Sequence, residues 1–208
     1  MRSLIEDRTA RARIRDEALR LFAERGPDAV SVRDIAAAAG VSPALVMRHY
    51  RTKEGLRDAV DEHVAAVFET LLDQVTDPHG TKPLDSKLAT TMAEIVIAQL
   101  PADSPIPAYL GRMLLGGGPV GNALFARLYV ISRDALAGLA AAGSADTGDD
   151  PAIRAAFLLI NDLAFLMLRP HIGEVLGVEL LSPAGMRRWG TEVLSIYRHG
   201  LGGAANLA

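Results

Sequence analysis

The sequence predicts an all-α fold, a three-helix head containing a helix-turn-helix followed by a larger helical body. Apolar residues recur with helical spacing along most of the chain, and no comparable stretch alternates with period two, so no sheet is expected. A Ser or Asp stands directly before proline at Ser42-Pro43, Ser104-Pro105, Asp150-Pro151 and Ser182-Pro183. The side-chain oxygen can accept from an orphan N–H of the first helical turn, and proline has no N–H to leave unpaired at the next position. The chain has 208 residues, 50% of them hydrophobic and 23% charged, enough to bury a core without covalent staples.

The elements follow in order. Ile14, Ala18, Leu21 and Phe22 mark one face of a first helix ending near Arg25-Gly26, and Pro27 and Asp28 turn the chain. Ser31, with Asp34 three residues on, resembles a capping box with a shorter acid. It opens a helix of about two turns, short against the usual three, whose inward residues are Val32, Ile35, Ala36 and Ala39. Gly40 supplies a position that takes positive φ, Val41 is an apolar plug, and Ser42-Pro43 opens the next short helix. Two short helices joined by a tight glycine-containing turn and laid over a third form a helix-turn-helix. Leu56, Val60, Val64, Val67 and Leu71 then mark a long helix from Lys53 to about Val75. Further faces are Leu88, Met92, Ile95 and Val96; Leu124, Leu128, Ile131 and Ala135; Phe157 to Phe165; and Trp189 to Ile196. Residues 79–83 and 143–150 read as loops. The head is expected over residues 1–52 and the body over 53–208.

Several function classes are excluded or left without support. There is no cysteine, hence no disulfide, thiolate site or cysteine nucleophile. The first twenty residues hold no apolar signal-peptide core, so a cytoplasmic protein is expected. The apolar run 152–168, interrupted by Arg154, Asn161 and Asp162, reads as a buried helix of a soluble protein. Histidines 49, 63, 79, 171 and 199 form no H-x₃-H or H-E-x-x-H pattern, so no metal is expected. No G-x-S-x-G elbow occurs, and the adjacent pairs Asp61-Glu62 and Asp149-Asp150 do not share a helix face. "GGGPVGN", 116–122, lacks the closing Lys-Ser/Thr of a phosphate loop and follows no strand, so it reads as a turn between helices. Neither an enzyme nor a cofactor is expected.

Charge is divided unevenly. Residues 1–57 carry 12 Lys and Arg against 8 Asp and Glu, a balance of +4, and the remainder carries −7. A basic head on an acidic body suits a head that meets a polyanion. In the second short helix Val46 and Tyr50, four apart, can pack inward, while Ser42, Ala44, Leu45, Met47 and Arg48 fall on or near the outward side. Small Pro43 and Ala44 let such a helix lie close to base edges, with residues near its start reading bases. His49, Arg51 and Lys53 sit at its end, where cations meet phosphates. Two plainer roles stay open there: His49 as a cap of the helix C-terminus, and Lys53 as the partner of Glu54 and Arg57 on a solvated face.

The run "SVRDIAAAAGVSPALVMRHYRTKEGL" resembles the DNA-binding head of the TetR-type (tetracycline-repressor-like) transcriptional regulators. The matching features are Ile35-Ala36, Ala39-Gly40-Val41-Ser42, His49 followed by an aromatic, and Lys53-Glu54 with Leu56, over roughly residues 9 to 57. The resemblance implies an all-helical homodimer that binds a palindromic operator, usually as a repressor, with a small-molecule pocket and the dimer interface in the C-terminal domain. It also implies that Ser31, Arg33, Ser42, Ala44, Met47, His49, Tyr50 and Lys53 touch DNA or support the contact. Ala44 stands where glycine is common, Val46 where leucine is common, and Met47 where a tyrosine or phenylalanine often contacts the backbone. Met47 cannot donate a phenolic hydrogen bond, so that phosphate contact is missing or supplied by Arg48.

The DNA-contacting set is therefore Ser31, Arg33, Ser42, Pro43, Ala44, Leu45, Met47, Arg48, His49, Tyr50 and Lys53. Residues 150–200 are expected to pair with their mates in a four-helix interface, setting the two recognition helices about 34–36 Å apart. Met92, Tyr109, Met113, Phe125, Tyr129, Phe157, Asn161 and Phe165, chosen for size or polarity on body helices, are the candidate lining for a small, mostly apolar effector. Asn161 and Asp162 need polar partners within an apolar helix. The mate across a dimer axis is preferred, and a ligand stays open. A DNA-binding regulator without effector, or a helical carrier or enzyme, are the alternative functions.

Overall fold

The computed structural model describes residues 2–75, 100, 103–141, 143 and 145–199. The described residues form helices α1 (Arg2–Arg25), α2 (Val32–Ala38), α3 (Pro43–Tyr50), α4 (Lys53–Val75), α5 (Ile106–Leu115), α6 (Pro119–Ala141), α7 (Pro151–Leu176) and α8 (Pro183–His199), with no strand among them. The fold is all-α, as the periodicity requires. The helical face at Leu88–Val96, the loop at 79–83 and Met92 lie outside the described residues. The chain divides into two compact units, one of Met1–Glu69 with Ser104–Phe125, the other of Thr70–Asp103 with Ala126–Ala208.

In the first unit, Ile14, Ala18, Leu21 and Phe22 of α1 are buried together with Ile35, Ala36, Val46 and Tyr50. The capping box at α2 is complete: Asp34 N donates to Ser31 Oγ at 3.2 Å, and Ser31 N donates to Asp34 Oδ2 at 2.8 Å. The Ser31 hydroxyl, donating to Asp34 Oδ2 at 2.6 Å, and then the Ser31 N–H hold the exposed Asp34 carboxyl below its usual range. Gly40 takes φ +64°, and the turn closes through Val41 N to Ala36 O at 2.9 Å. Val41 is half-buried, a partial plug. Along α4 the buried row is Leu56, Val60, Val64, Phe68 and Leu71, so Phe68 replaces the expected Val67, which is half-buried. From Leu56 to Phe68 the row climbs in steps of four, and the larger ring takes the covered position.

α5 also belongs to this first unit, although the sequence assigned it to the body. Phe22 and Tyr109 face each other with ring centroids 6.3 Å apart. Arg112 Nε donates to Ala23 O at 3.1 Å and its Nη2 to Glu24 O at 3.4 Å, so a cation closes the carbonyl end of α1. Tyr109 OH donates to Asp61 Oδ1 at 2.5 Å, tying α5 to α4. The proline signal here is displaced by one residue. Pro105 is the boundary residue, at φ −75° and ψ −11°, without a side-chain cap, and Ser104 Oγ accepts from Ile106 N at 3.3 Å.

In the second unit Asp150 caps α7, its Oδ1 accepting from Ala152 N and Ile153 N, both at 3.0 Å. Gly177 ends the helix at φ +63°. Ser182 Oγ accepts from Gly185 N at 3.1 Å at the start of α8. α6 meets α7 through Ser132 Oγ to Ala155 O at 2.9 Å and Tyr129 OH to Ala152 O at 3.4 Å. The buried leucines of α6 are Leu124, in the first unit, and Leu128 and Leu136 in the second, four apart with Ser132 in the intervening slot. The expected Ile131 is half-buried and Ala135 exposed. α8 meets α7 through Phe165 and Trp189, ring centroids 4.9 Å apart.

α7 is not the buried helix its composition suggests. Ala155, Leu159, Leu163 and Phe165 are buried, but Ile153, Phe157, Ile160, Leu168 and Val175 are exposed. Its most apolar 18 residues average a hydropathy of 1.6 with 22% of them buried, so by length and composition alone this helix could cross a membrane. A helix apolar on all sides needs cover on all sides, and a single chain supplies only part of it.

Candidate nucleic-acid interface

α3 is short, capped and bare along one side. Ser42 sits before Pro43 in extended backbone (φ −77°, ψ 149°), and its Oγ accepts from Leu45 N at 3.2 Å. Ser42, Pro43, Ala44, Met47 and Arg48 are exposed, Leu45 and His49 are half-buried, and Val46 and Tyr50 are buried. Met47 shows 41% of its surface on this side of the helix. On α2, Ser31 and Arg33 are also exposed.

Tyr50 anchors this helix. Its hydroxyl donates to the Arg11 carbonyl at 2.7 Å, and the Arg11 guanidinium lies over its ring at 5.4 Å from the centroid. Burial pushes the Tyr50 hydroxyl above its ordinary value, opposed by the bond to Arg11. The ring therefore supports the outward residues by fixing the end of α3 against α1.

The link from α3 to α4 is the most constrained backbone of the site. Arg51 takes φ +66° and ψ −51°, the one positive φ at a non-glycine among the described residues. Thr52 N donates to Tyr50 O at 2.8 Å, which closes a γ-turn with positive φ, a rare and strained type. Thr52 Oγ1 then accepts from Gly55 N at 2.9 Å and caps α4. A Cβ on Gly55 would stand 2.5 Å from Tyr50 O, so only glycine fits there without movement. Arg51 is exposed and Lys53 half-buried beside this turn. Sequence reading missed Thr52, Gly55 and Arg11. Thr52 followed by Lys53-Glu54 was a readable cap; the other two roles depend on residues distant in the fold.

The candidate effector residues are divided between the two units. Tyr109, Met113 and Phe125 belong to the first unit, the first two buried in its core. Tyr129, Phe157, Asn161 and Phe165 belong to the second, where Phe157 is exposed and Phe165 lies against Trp189. A shallow groove of about 450 Å³ in the first unit is lined by residues of α1 and α4 with Tyr50, and one of about 320 Å³ in the second by the loop before α7 with Ile153 and Phe157.

Comparison with known proteins agrees with this arrangement. Residues 14–60 match the family described as bacterial regulatory proteins, tetR family, and residues 102–202 match the tetracyclin repressor-like C-terminal domain. The chain is 34% identical to the HTH-type transcriptional regulatory protein RaaS of Mycobacterium tuberculosis over 74% of this chain and 68% of that protein. It is 39% identical to the HTH-type transcriptional repressor Rv3405c of the same organism, over 53% of this chain and 50% of that one. Among solved structures, the fatty acid degradation regulator FadR from Bacillus halodurans aligns with a TM-score of 0.67 at 16% identity, over 93% of this chain and 96% of the other. AibR, solved with isovaleryl coenzyme A and operator DNA, aligns at 0.66 and 18% identity, over 91% and 98%. These structural likenesses establish the fold, and the family assignment rests on the sequence matches at both ends of the chain. The bare capped helix, the turn that holds it and these matches agree: the chain belongs to the tetR family of bacterial regulatory proteins and is a DNA-binding transcriptional regulator.

Proposed function

We propose that the chain is a cytoplasmic, ligand-responsive repressor that binds a palindromic operator as a homodimer. The observation that carries this reading is the outward face of α3, with Ser42, Pro43, Ala44, Met47 and Arg48 uncovered and Arg51 and Lys53 at its end. The helix start suits base edges in a major groove, and the cations at its end suit phosphates. Exposed Ser31 and Arg33 extend that surface onto α2, Leu45 and His49 flank it, and Tyr50 supports it. The head comprises residues 1–52, and the remainder holds effector and dimer surfaces.

The exposed apolar row on α7 supports dimerisation. A second copy covering Ile153, Phe157, Ile160 and Leu168 would remove a row of exposed apolar side chains from water. Ligand response is supported by the solved relative that holds both an acyl-coenzyme A and operator DNA. An effector that favours one body conformation shifts the population away from the DNA-competent one, with coupling of typically about 1–3 kcal/mol.

The test joins gel shift with size-exclusion light scattering. Full-length protein is expected to shift DNA from beside its own gene as a dimer. Ser42→Ala and Met47→Ala are expected to change which operator variants bind best, and Phe157→Asp to give a monomer with weak binding. Operator binding by a monomer, or operator preference indifferent to α3, would refute the reading. Repression that no small molecule relieves would leave a regulator without effector.

A further inference from the structure

The groove between α1 and α4 adjoins the end of the recognition helix. Its volume is about 450 Å³, and Tyr50, the last residue of α3, is part of its lining. Arg11 and Arg15, one turn apart on α1, share one wall. Glu62 and His63 of α4 stand on the other, and the remaining lining is alanine, which leaves room for a group of phosphate size.

A surface arginine is ordinarily a loose chain of many rotamers. Arg11 is exposed yet held. Its guanidinium lies over the Tyr50 ring, 5.4 Å from the centroid, and its carbonyl accepts from Tyr50 OH at 2.7 Å. The ring that fixes the end of α3 therefore also positions a cation beside it. A guanidinium already ordered loses less entropy on meeting a phosphate.

The other charges in the groove are mixed. Arg15 pairs with Asp16 at 2.7 Å, and Glu62 is exposed, where water and salt screen it. His63 registers the balance. Burial, and then the Arg15 charge, hold its imidazole below the ordinary value, with Asp16 opposing. Position supplies the partner. Ala59, in the lining, lies about 9 Å along α4 from Lys53. One DNA strand carries a phosphate about every 3.4 Å of helix axis, so the groove is about two or three phosphates from one held at Lys53.

Resting on the reading of α3 and Lys53 above, we infer that Arg11 is a further phosphate contact. The α1 edge of this groove takes a backbone phosphate of the bound duplex beyond the one at Lys53, and Tyr50 holds the guanidinium in place for it.

The experiment measures binding of the full-length protein to a random duplex and to DNA from beside its own gene, by fluorescence anisotropy across a salt series. Arg11→Gln is expected to bind both about tenfold more weakly and to flatten the slope of log affinity against log salt by about one contact. Arg11→Lys, which keeps the charge, is expected to keep the slope. The bond from Tyr50 OH ends on the Arg11 backbone, so α3 stays anchored in both variants. Neutral methylphosphonates, placed one at a time along the strand, separate contact from packing: one position should weaken the unmodified protein and leave Arg11→Gln indifferent. The His63 imidazole, followed by NMR, should titrate at higher pH with the duplex bound and show no change with inorganic phosphate at the same ionic strength. An unchanged slope in Arg11→Gln, or methylphosphonate effects identical in the two proteins, would overturn the inference. A His63 response to inorganic phosphate alone would assign the groove to a small free anion instead, and no response to the duplex would empty it of DNA; either result also sinks the inference. Random duplex carries the same phosphates as an operator, so failure of operator preference or of dimerisation shows separately from failure at Arg11.

Discussion

Replacing Gly55 with alanine tests the turn that holds the recognition helix, because two effects of opposite sign meet there. In an ordinary helix, alanine is favoured over glycine by about 0.8–1 kcal/mol. Here the new Cβ would stand 2.5 Å from Tyr50 O and 3.4 Å from Thr52 Oγ1. Tyr50 O cannot easily retreat, because it accepts from Thr52 N at 2.8 Å in the γ-turn, and Gly55 N is held by Thr52 Oγ1 at 2.9 Å. Relief requires the backbone to open by about half an ångström or more, at an overpacking cost of about 1–3 kcal/mol, and endangers a cap worth about 1 kcal/mol. The net expectation is destabilisation by about 1–3 kcal/mol, read as a lower urea midpoint by circular dichroism. Operator affinity by fluorescence anisotropy should fall with it, since the end of α3 and Lys53 hang on the same turn. A midpoint raised by the amount of a plain glycine-to-alanine helix substitution would refute the steric argument.

The same turn separates stability from binding in Arg51→Gly. Removing the side chain from positive φ should stabilise the fold by about 1 kcal/mol, while the slope of log affinity against log salt flattens by about one phosphate contact; loss of stability would show that the strain was misread. Lys53→Ala should weaken binding to operator and random DNA alike and also flatten the salt slope by about one, whereas a change in sequence preference would place it at the bases. Asp162 has a folded pKa of about 6 against 3.8 ordinarily, so the folded state binds the extra proton between those values. Its contribution to stability is full below about pH 4 and is lost as pH rises through 6; urea midpoints at pH 4.5 and 7 should differ less in Asp162→Asn than in the parent.

Local signals were legible because their chemistry closes within four residues. Ser31 with Asp34, Ser42 before Pro43 and Asp150 before Pro151 all form the caps their spelling implies. The apolar rows of α4 and α6 were legible to within one residue. On α4 and α6 the covered row climbs in steps of four, through Phe68 in one case and through the slot of Ser132 in the other. A reading that accepts only apolar letters steps over a serine whose hydroxyl bonds a neighbouring helix. The attachment of α5 to the first unit was not legible, because its partners Phe22, Ala23 and Asp61 lie some fifty to ninety residues earlier in the chain. Gly55 and Arg51 were illegible for a related reason: a Cβ clash and a γ-turn are properties of two helices meeting, not of either one.

α7 shows why direction was the hardest thing to read. Apolar letters take up most of its circumference, so periodicity alone does not say which face meets its own chain and which is left for something else. For Asn161 and Asp162 the mate across a dimer axis was preferred and a ligand stayed open. Packing shows which side each takes. α6 and α8 settle on one side through Ala155 and Phe165, which leaves the opposite arc bare and puts Asp162 on the covered side without covering it. The bare arc of Phe157 and Ile160 calls for an apolar cover, and a second copy of the same helix presents one.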